Sequence, residues 1–593
     1  MGTKRNSAAS PAKTNTERVA FWALAGFLVS GMLLHGLLLE REFLTASTVC
    51  ALLLLLVAMS DRLRLRQPAL IGALAACMVG YGIPVFYAVA PAHALQEALK
   101  SIIPVSVAVL GWAITATAYR KLIQVMVMSA ALTTILGLAL GLFYEGRLAG
   151  FMDYANGLGI LLLVCSVLGF PLYMAGKQTF YLPAAYTFAL GIGLTQSRTV
   201  FALGVLGAFV SLLASRRGDR LAWGNYASVS LMGVAGAACY GNSLWLFALT
   251  ILFAGGFVWG LSRMATRRLP LAAVGMGALA AIFAALVLWG GSIFRWLSLS
   301  SNLTDLRTRL VYYEDGLDMI RDSIWTGYGG GAWAELQYRY QSADYYIAYL
   351  HNHLLQTWLD AGIVGVGTFL AVTVLVVANG IRSVRRSKEG LHSFEVARLA
   401  ACIALWLQSL LDFTFSSPYL FALFIFLGIQ TEDGDNLVKR DAGLRAGWAK
   451  APIAACCIML ALLAGSTLLA QTYYDRAIRA ASQERLADAV SYLERSMAFG
   501  IYDDAAHDRK ARLYYEGYME RRDRAYLTIA DAEIDAALAG NPEHVWYRKL
   551  RSDIDWELGE RAAALSELER LVRQNPFMAS WREELNKKRS ETS

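Results

Sequence analysis

Apolar runs of about 20 residues recur along most of this chain, and this recurrence limits its possible folds more than any other feature. A helix of ~20 residues crosses the hydrocarbon core of a bilayer and satisfies its own backbone hydrogen bonds there. The chain has 593 residues, 56% of them hydrophobic, and a mean hydropathy of +0.42, which is too apolar for a soluble protein of this size. The pattern predicts an all-α polytopic membrane protein with roughly 13–15 transmembrane helices.

The individual runs define the expected spans. We place fifteen, at 20–39, 44–60, 69–90, 101–119, 122–143, 157–175, 179–195, 198–215, 224–240, 243–261, 270–290, 355–379, 396–414, 417–430 and 451–470.

Basic residues cluster in every second connection between these spans, which predicts the orientation of the chain. The clusters include Arg62–Arg66, Arg120–Lys121, Arg216–Arg220, Arg263–Arg268 and Arg382–Lys388. Because basic loops stay in the cytoplasm, the N-terminus is expected there, in a multi-pass protein of the plasma membrane. The net charge of +8 then needs no nucleic-acid partner.

The spans divide the chain into five parts. We expect a cytoplasmic polar tail at 1–19, transmembrane helices at 20–290, an extracytoplasmic aromatic-rich loop at 291–350, transmembrane helices at 351–470, and an extracytoplasmic helical domain at 471–593. In the last part Asn541-Pro542 recurs as Asn575-Pro576, 34 positions later, as in a tetratricopeptide repeat. Such repeats dock protein partners, and an ordinary helical bundle is the alternative.

All seven cysteines fall in predicted spans, and no CxxC spacing occurs. We therefore expect buried thiols, no disulfide framework and no metal site.

The loop from Phe294 to Tyr349 holds twelve aromatic residues in 56, Tyr313 and Trp325 among them. Such rings either stack on sugar faces or form an interfacial belt at the membrane, and both uses are expected.

Several charged side chains stand at predicted ends of spans. Arg307 and Arg309 lie in the loop and either bind a ligand or pair with nearby acidic residues. Arg198 begins a span, where an arginine either binds an anion or snorkels. Asp412 lies near the end of another span; a carboxylate there is a functional candidate by default, and a structural pair with an arginine is the alternative.

One motif is more specific. His351-Asn352 is followed, after nine residues, by Gly362-Ile363-Val364-Gly365, where the polar loop meets an apolar helix. This spacing resembles the signature of the O-antigen ligase and polymerase family.

Further elements resemble the same family. They are Asn156-Gly157, Ser197-Arg198, Leu411-Asp412-Phe413, and the stretch from Arg309 through Tyr313 to Trp325-Thr326-Gly327-Tyr328-Gly329. Gln408 departs from the pattern, because that position often holds histidine in the family.

The resemblance implies an inverting glycan transferase that needs no metal or other cofactor. Its donor would be an oligosaccharide linked to polyprenyl pyrophosphate, and its acceptor a glycan, lipid or protein hydroxyl. It implies His351 and Arg309 as catalytic residues, and Arg198, Arg307, Asn352, Asp412, Tyr313 and Trp325 as residues that bind the pyrophosphate or substrate.

Two other classes of function stay open. One is a transporter or flippase for the same lipid, although the internal symmetry common in transporters is not evident. The other is a non-catalytic scaffold for polysaccharide assembly that works through its repeats.

Overall fold

Helices form nearly all of the secondary structure in the computed structural model, which describes residues 15–59, 67–176, 179–214, 220–240, 243–263, 299–429 and 447–592. The first group comprises α1 (Asn15–Leu33), α2 (Glu40–Met59), α3 (Pro68–Gly82), α4 (Pro91–Lys100), α5 (Ile102–Trp112), α6 (Ala116–Ala139), α7 (Ala155–Gly176), α8 (Tyr181–Thr195), α9 (Arg198–Ala214), α10 (Arg220–Tyr240) and α11 (Leu244–Arg263). A two-stranded hairpin, β1 (Phe143–Tyr144) and β2 (Arg147–Leu148), separates α6 from α7.

The second group follows the part of the chain outside the described residues. It comprises α12 (Leu299–Asp322), α13 (Ala332–Tyr340), α14 (His353–Arg386), α15 (His392–Ser409), α16 (Pro418–Leu427), α17 (Gly447–Ala481), α18 (Leu486–Phe499), α19 (Asp504–Arg521), α20 (Arg524–Gly540), α21 (Val545–Leu558), α22 (Arg561–Gln574) and α23 (Ala579–Thr592).

The all-α polytopic membrane fold is confirmed. Among the described residues, seven helical stretches are long and apolar enough to cross a membrane: Glu40–Met59, Pro68–Phe86, Pro91–Trp112, Ala116–Ala139, Ala155–Ala175, His353–Arg386 and Lys450–Ala481. Shorter apolar helices occupy Arg198–Phe209, Leu244–Gly260 and Pro418–Leu427. The span expected at 270–290 lies outside the described residues.

The spans expected at 101–119 and 122–143 were misplaced. The helical stretch ends at Trp112, and α6 begins at Ala116, where the Thr115 hydroxyl accepts a hydrogen bond from the Ala118 amide (3.3 Å). This cap satisfies a backbone donor that the start of a helix leaves free. The basic pair Arg120–Lys121, which we expected to separate the two spans, lies inside α6.

The span expected at 417–430 is instead the ten-residue α16, every described side chain of which is buried except that of Phe421. At ~1.5 Å per residue it rises about 15 Å, half the thickness of the hydrocarbon core. Its carbonyl end is satisfied by Tyr119, which donates to Phe426 O (3.2 Å), and by Arg398, which donates to Ile429 O (2.7 Å). Side chains of neighbouring helices thus complete the backbone hydrogen bonds at the end of this short, buried helix.

The region expected to be a loop at 291–350 contains two helices in its described part, α12 and α13. The turn after α12 rests on a break inside α14 at Gly362, whose φ of 63° and ψ of −162° are not helical. The Ile363 amide donates to Ile324 O (3.1 Å), and the Tyr328 amide donates to Leu359 O (2.8 Å). These bonds fix the turn against the helix that follows His351.

The C-terminal region from 471 onward is helical, and α17 runs into it from the membrane segment without a break. Successive helices pack against each other, α19 on α20 and α21 on α22 among them. Asn541 and Asn575 each follow the end of a helix and are buried, so the two Asn-Pro steps occupy equivalent turns. Assignment to the tetratricopeptide class stays a prediction.

Six of the seven cysteines are buried, whereas Cys456 on α17 is exposed in the isolated chain. The expectation of burial was therefore wrong for this one thiol, because α17 presents much of its apolar surface away from the other helices.

The C-terminal domain contacts the loop region through α13. Arg339 forms an ion pair with Glu543, and the carboxylate of Glu335 lies 3.9 Å from His544 Nε2. Burial raises the pKa of Glu335 from 4.5 to about 7, with a raising effect from Asp504 and a lowering effect from His93. This junction therefore contains a carboxyl group that titrates near neutral pH.

We expect Gly362→Ala to lower the free energy of unfolding by about 1–3 kcal/mol. This is the usual cost of placing a residue with a side chain at a φ and ψ that side chains rarely adopt. An added Cβ would also meet the carbonyl carbon of Trp325 at 2.6 Å. Gly367→Ala on the same helix is the matched control, because a Cβ there meets nothing within 4 Å. Thermal unfolding in detergent measures both, and equal midpoints for the two variants would refute a strained turn at Gly362.

Glu335→Gln should raise the thermal midpoint at pH 8 and leave it nearly unchanged at pH 5. The folded-state pKa of Glu335 is raised to about 7, so its stabilising contribution is present below about 4.5 and is lost as the pH rises through 7. Glutamine keeps the shape without the buried charge. Burial lowers the pKa of His544 to about 4, so this neighbour is neutral in the folded protein at both pH values and does not balance the charge of Glu335. An equal change in the thermal midpoint at both pH values would contradict a raised pKa for Glu335.

Candidate functional site

His351 and Asp412 meet at one end of the helical body. His351 precedes α14 and Asp412 follows α15, and the imidazole Nδ1 lies 2.7 Å from the Asp412 Oδ1 atom. Asp412 is fully buried, whereas the His351 side chain keeps 21% of its surface exposed. The pair therefore joins a buried carboxylate to an accessible imidazole.

Two more side chains donate hydrogen bonds to the other oxygen of Asp412. The Tyr154 hydroxyl donates to Oδ2, and the Asn156 amide nitrogen donates to the same atom (3.0 Å). The Asn156 amide also donates to the Tyr154 hydroxyl (3.1 Å). Donors at both oxygens stabilise the ionised form of a buried carboxylate, which would otherwise be costly.

Arg147 extends this network from the hairpin. Its Nη2 donates to Asn156 Oδ1 (2.6 Å), and its Nε donates to Thr195 O (2.8 Å). The two-residue turn of the hairpin has positive φ at Glu145 (50°) and Gly146 (73°), a conformation that glycine adopts at little cost. The turn thus places a guanidinium beside the first residues of α7.

Arg309 and Tyr313 reach the site from α12. Arg309 donates to the carbonyl of Leu411, next to Asp412, and the Tyr313 hydroxyl donates to the carbonyl of His351 (2.6 Å). Both residues therefore contact the segments that hold the pair. Arg309 also brings a positive charge close to the buried carboxylate.

Aromatic rings surround the imidazole. The ring centroid of Tyr312 lies 6.0 Å from that of His351 in a stacked arrangement, and Phe413 meets His351 edge-on at 5.3 Å. Phe413 also stacks on Tyr154 (4.5 Å) and on Tyr349 (5.8 Å). These contacts fix the orientation of the imidazole and of the tyrosine that binds Asp412.

The other residues expected at the site take different positions. Asn352 caps α14, and its side-chain oxygen accepts hydrogen bonds from the amides of Leu354 (3.0 Å) and Leu355 (3.2 Å). Trp325 is 74% exposed at the turn that rests on Gly362, and Arg307 is exposed on α12. Arg198 is the first residue of α9 and is partly buried, three residues after the Thr195 carbonyl that Arg147 contacts.

His353 is separate from this group. It follows Asn352 as the first residue of α14 and is buried. Its ring centroid lies 5.1 Å from that of Phe369 and 5.7 Å from that of Phe415.

The arrangement suits proton abstraction from a hydroxyl. With Asp412 ionised, Nδ1 of His351 carries the proton and donates to it, so Nε2 is left as an acceptor. A carboxylate held by two other donors, Tyr154 and Asn156, keeps the imidazole in this tautomer and stabilises the cation that forms on protonation.

Sequence reasoning missed Tyr154 and Arg147. Tyr154 lies two residues before Asn156, and its proximity to Asp412 depends on the packing of α7 against α15. For Arg147 the available signal was the Glu145-Gly146 turn, which places the arginine at the start of a strand.

A family model described as O-antigen ligase matches residues 227–370, which contain Arg309 and His351. No curated protein matches the chain. Asp412, Asn156 and Arg147 lie outside the matched range and reach His351 through the fold. The match supports a general role in glycan transfer during polysaccharide assembly. Residues 227–370 of the chain are thus similar to the O-antigen ligase family.

Proposed function

We propose that this protein transfers an oligosaccharide from polyprenyl pyrophosphate to a hydroxyl of an acceptor, on the outer face of the bacterial plasma membrane. The observation that carries the proposal is the His351–Asp412 pair at 2.7 Å, with one partner buried and the other accessible. The family match supports the class of reaction.

The acceptor hydroxyl would bind to Nε2 of His351. As the hydroxyl oxygen attacks the anomeric carbon, its proton passes to Nε2, and Asp412 stabilises the resulting imidazolium. The new bond joins the acceptor oxygen to the anomeric carbon, and the bond between that carbon and the pyrophosphate oxygen breaks. Attack opposite the leaving group inverts the anomeric configuration.

Arginines would hold the leaving pyrophosphate and balance its developing charge without a metal ion. Arg309 touches the segment of Asp412, and Arg147 touches Asn156 and the carbonyl of Thr195 near Arg198. A guanidinium is permanently charged and binds phosphate oxygens in a bidentate manner. Arg307, exposed on the same helix as Arg309, would extend this positive surface.

The same proposal sets the orientation of the chain. A site for a lipid-linked donor on the outer face requires α12, α13 and the C-terminal domain to be extracytoplasmic. The positions of the basic clusters support a cytoplasmic N-terminus.

His351→Ala should lower the transfer rate severely but measurably, while the protein still folds and binds the donor lipid. Loss of a general base typically costs ~10²–10⁴ in rate. The assay uses purified protein with polyprenyl pyrophosphate-linked donor and acceptor, with donor binding and thermal unfolding measured separately.

His353→Ala is the matched control, because that ring packs among phenylalanines away from Asp412. We expect it to lower stability more than the rate per folded molecule. A transfer rate in His351→Ala equal to that of the parent, or an equal loss of rate in both variants, would place the reaction elsewhere.

A further inference from the structure

A series of aromatic rings leads away from His351 along the loop region. Tyr312 stacks on the imidazole at 6.0 Å between centroids, and Tyr345 lies 4.5 Å from Tyr312. The Tyr345 hydroxyl donates to the buried carboxylate of Asp315 (2.6 Å), which also accepts from the Ser342 amide (2.9 Å). These bonds hold the Tyr345 segment beside α12.

The series continues to the C-terminal domain. Tyr346 follows Tyr345 and stacks on Tyr338 of α13 at 6.1 Å. Tyr338 packs into a cluster that contains Trp581 of α23, and Trp546 of α21 meets Trp581 edge-on at 5.4 Å. The aromatic track, which we define as Tyr312, Tyr345, Tyr346, Tyr338 and Trp546, thus spans three separate segments of the chain.

Two members of the aromatic track are open to solvent. Tyr346 is 61% exposed beside the partly buried Tyr338, and Trp546 is 42% exposed beside the buried Trp581. A membrane belt does not account for Trp546, because it lies on α21, well after α17 has left the apolar segment. Polar residues adjoin these rings along the chain: Arg339, which pairs with Glu543, follows Tyr338, and the exposed Ser342 and Asp344 precede Tyr345.

Exposed rings bordered by hydrogen-bonding groups suit one kind of ligand, the saccharide. A sugar ring offers an apolar face of C–H groups that stacks on an aromatic ring, while its hydroxyls bond to polar neighbours. A protein partner would require a wider apolar surface, and a nucleic acid would require a basic one.

We propose that the aromatic track is an extended oligosaccharide-binding site, which holds sugar units beyond the one that reacts at His351. The proposal rests on the proposed function, because the track begins at the imidazole to which we assign the transfer. The C-terminal domain contributes Trp546 as the far subsite, which gives that domain a direct role in substrate binding. Longer glycans therefore reach more subsites than short ones.

The test measures binding of free oligosaccharide, without transfer. The probe is the oligosaccharide released by mild acid from the lipid-linked donor pool of the native cells, added to full-length protein in nanodiscs and followed by saturation-transfer NMR. Each stacking contact contributes about 0.5–1.5 kcal/mol, so Tyr346→Ala and Trp546→Ala should each weaken binding about 2–10-fold. Tyr346→Phe keeps the ring and should bind like the parent.

Phe499→Ala is the matched control, because Phe499 is a partly exposed ring stacked on Tyr473 in the same domain but outside the track. It should leave binding unchanged. No binding to the parent, parental affinity in either Tyr346→Ala or Trp546→Ala, or an equal loss in Phe499→Ala would overturn the proposal. Because binding is measured apart from turnover, these outcomes are distinct from a failure of His351 to support transfer.

Discussion

A fully buried carboxylate at the end of a bundle of apolar helices has to be surrounded by donors, and the placement of those donors determines much of this structure. Asp412 receives hydrogen bonds from Tyr154 and Asn156 and pairs with His351. The three partners come from the start of α7 and the start of α14, so the carboxylate ties together segments that are distant in the sequence. The imidazole keeps 21% of its side-chain surface exposed, so an acceptor hydroxyl can reach it there.

The surrounding helices position the side chains around Asp412 and His351. The buried, ten-residue α16 fills the space behind the segment of Asp412. The break in α14 at Gly362 lets the turn after α12 rest on the helix that His351 precedes, so α12 can deliver Arg309 and Tyr313. The hairpin before α7 delivers Arg147 in the same way. Tyr154, His351 and Asp412 thus lie in short irregular segments at helix ends, whereas Arg309 and Tyr313 project from α12.

The helical membrane fold was largely predictable from the sequence, because hydropathy determines the class of fold and most helix positions. The structure also brings together His351 and Asp412, which separate sequence motifs had singled out. What the sequence could not supply was pairing across the chain: Tyr154 lies two residues before the Asn156-Gly157 element, but its contact with Asp412 arises from the packing of α7 against α15. Hydropathy also misread α16, since an apolar run looks the same whether it crosses lipid or lies inside protein. For Asn352 the sequence predicted a role in substrate binding, whereas in the structure its side chain caps the start of α14.

In the proposed mechanism His351 and Asp412 act as one unit, and a double-mutant cycle on the transfer rate tests this most directly. The four proteins are the parent, His351→Ala, Asp412→Asn and the double variant, each compared per folded molecule with saturating donor. If Asp412 acts through the imidazole, adding Asp412→Asn to His351→Ala costs almost nothing further, because the unit is already lost. Losses that multiply in the double variant would show two independent roles and would contradict the account.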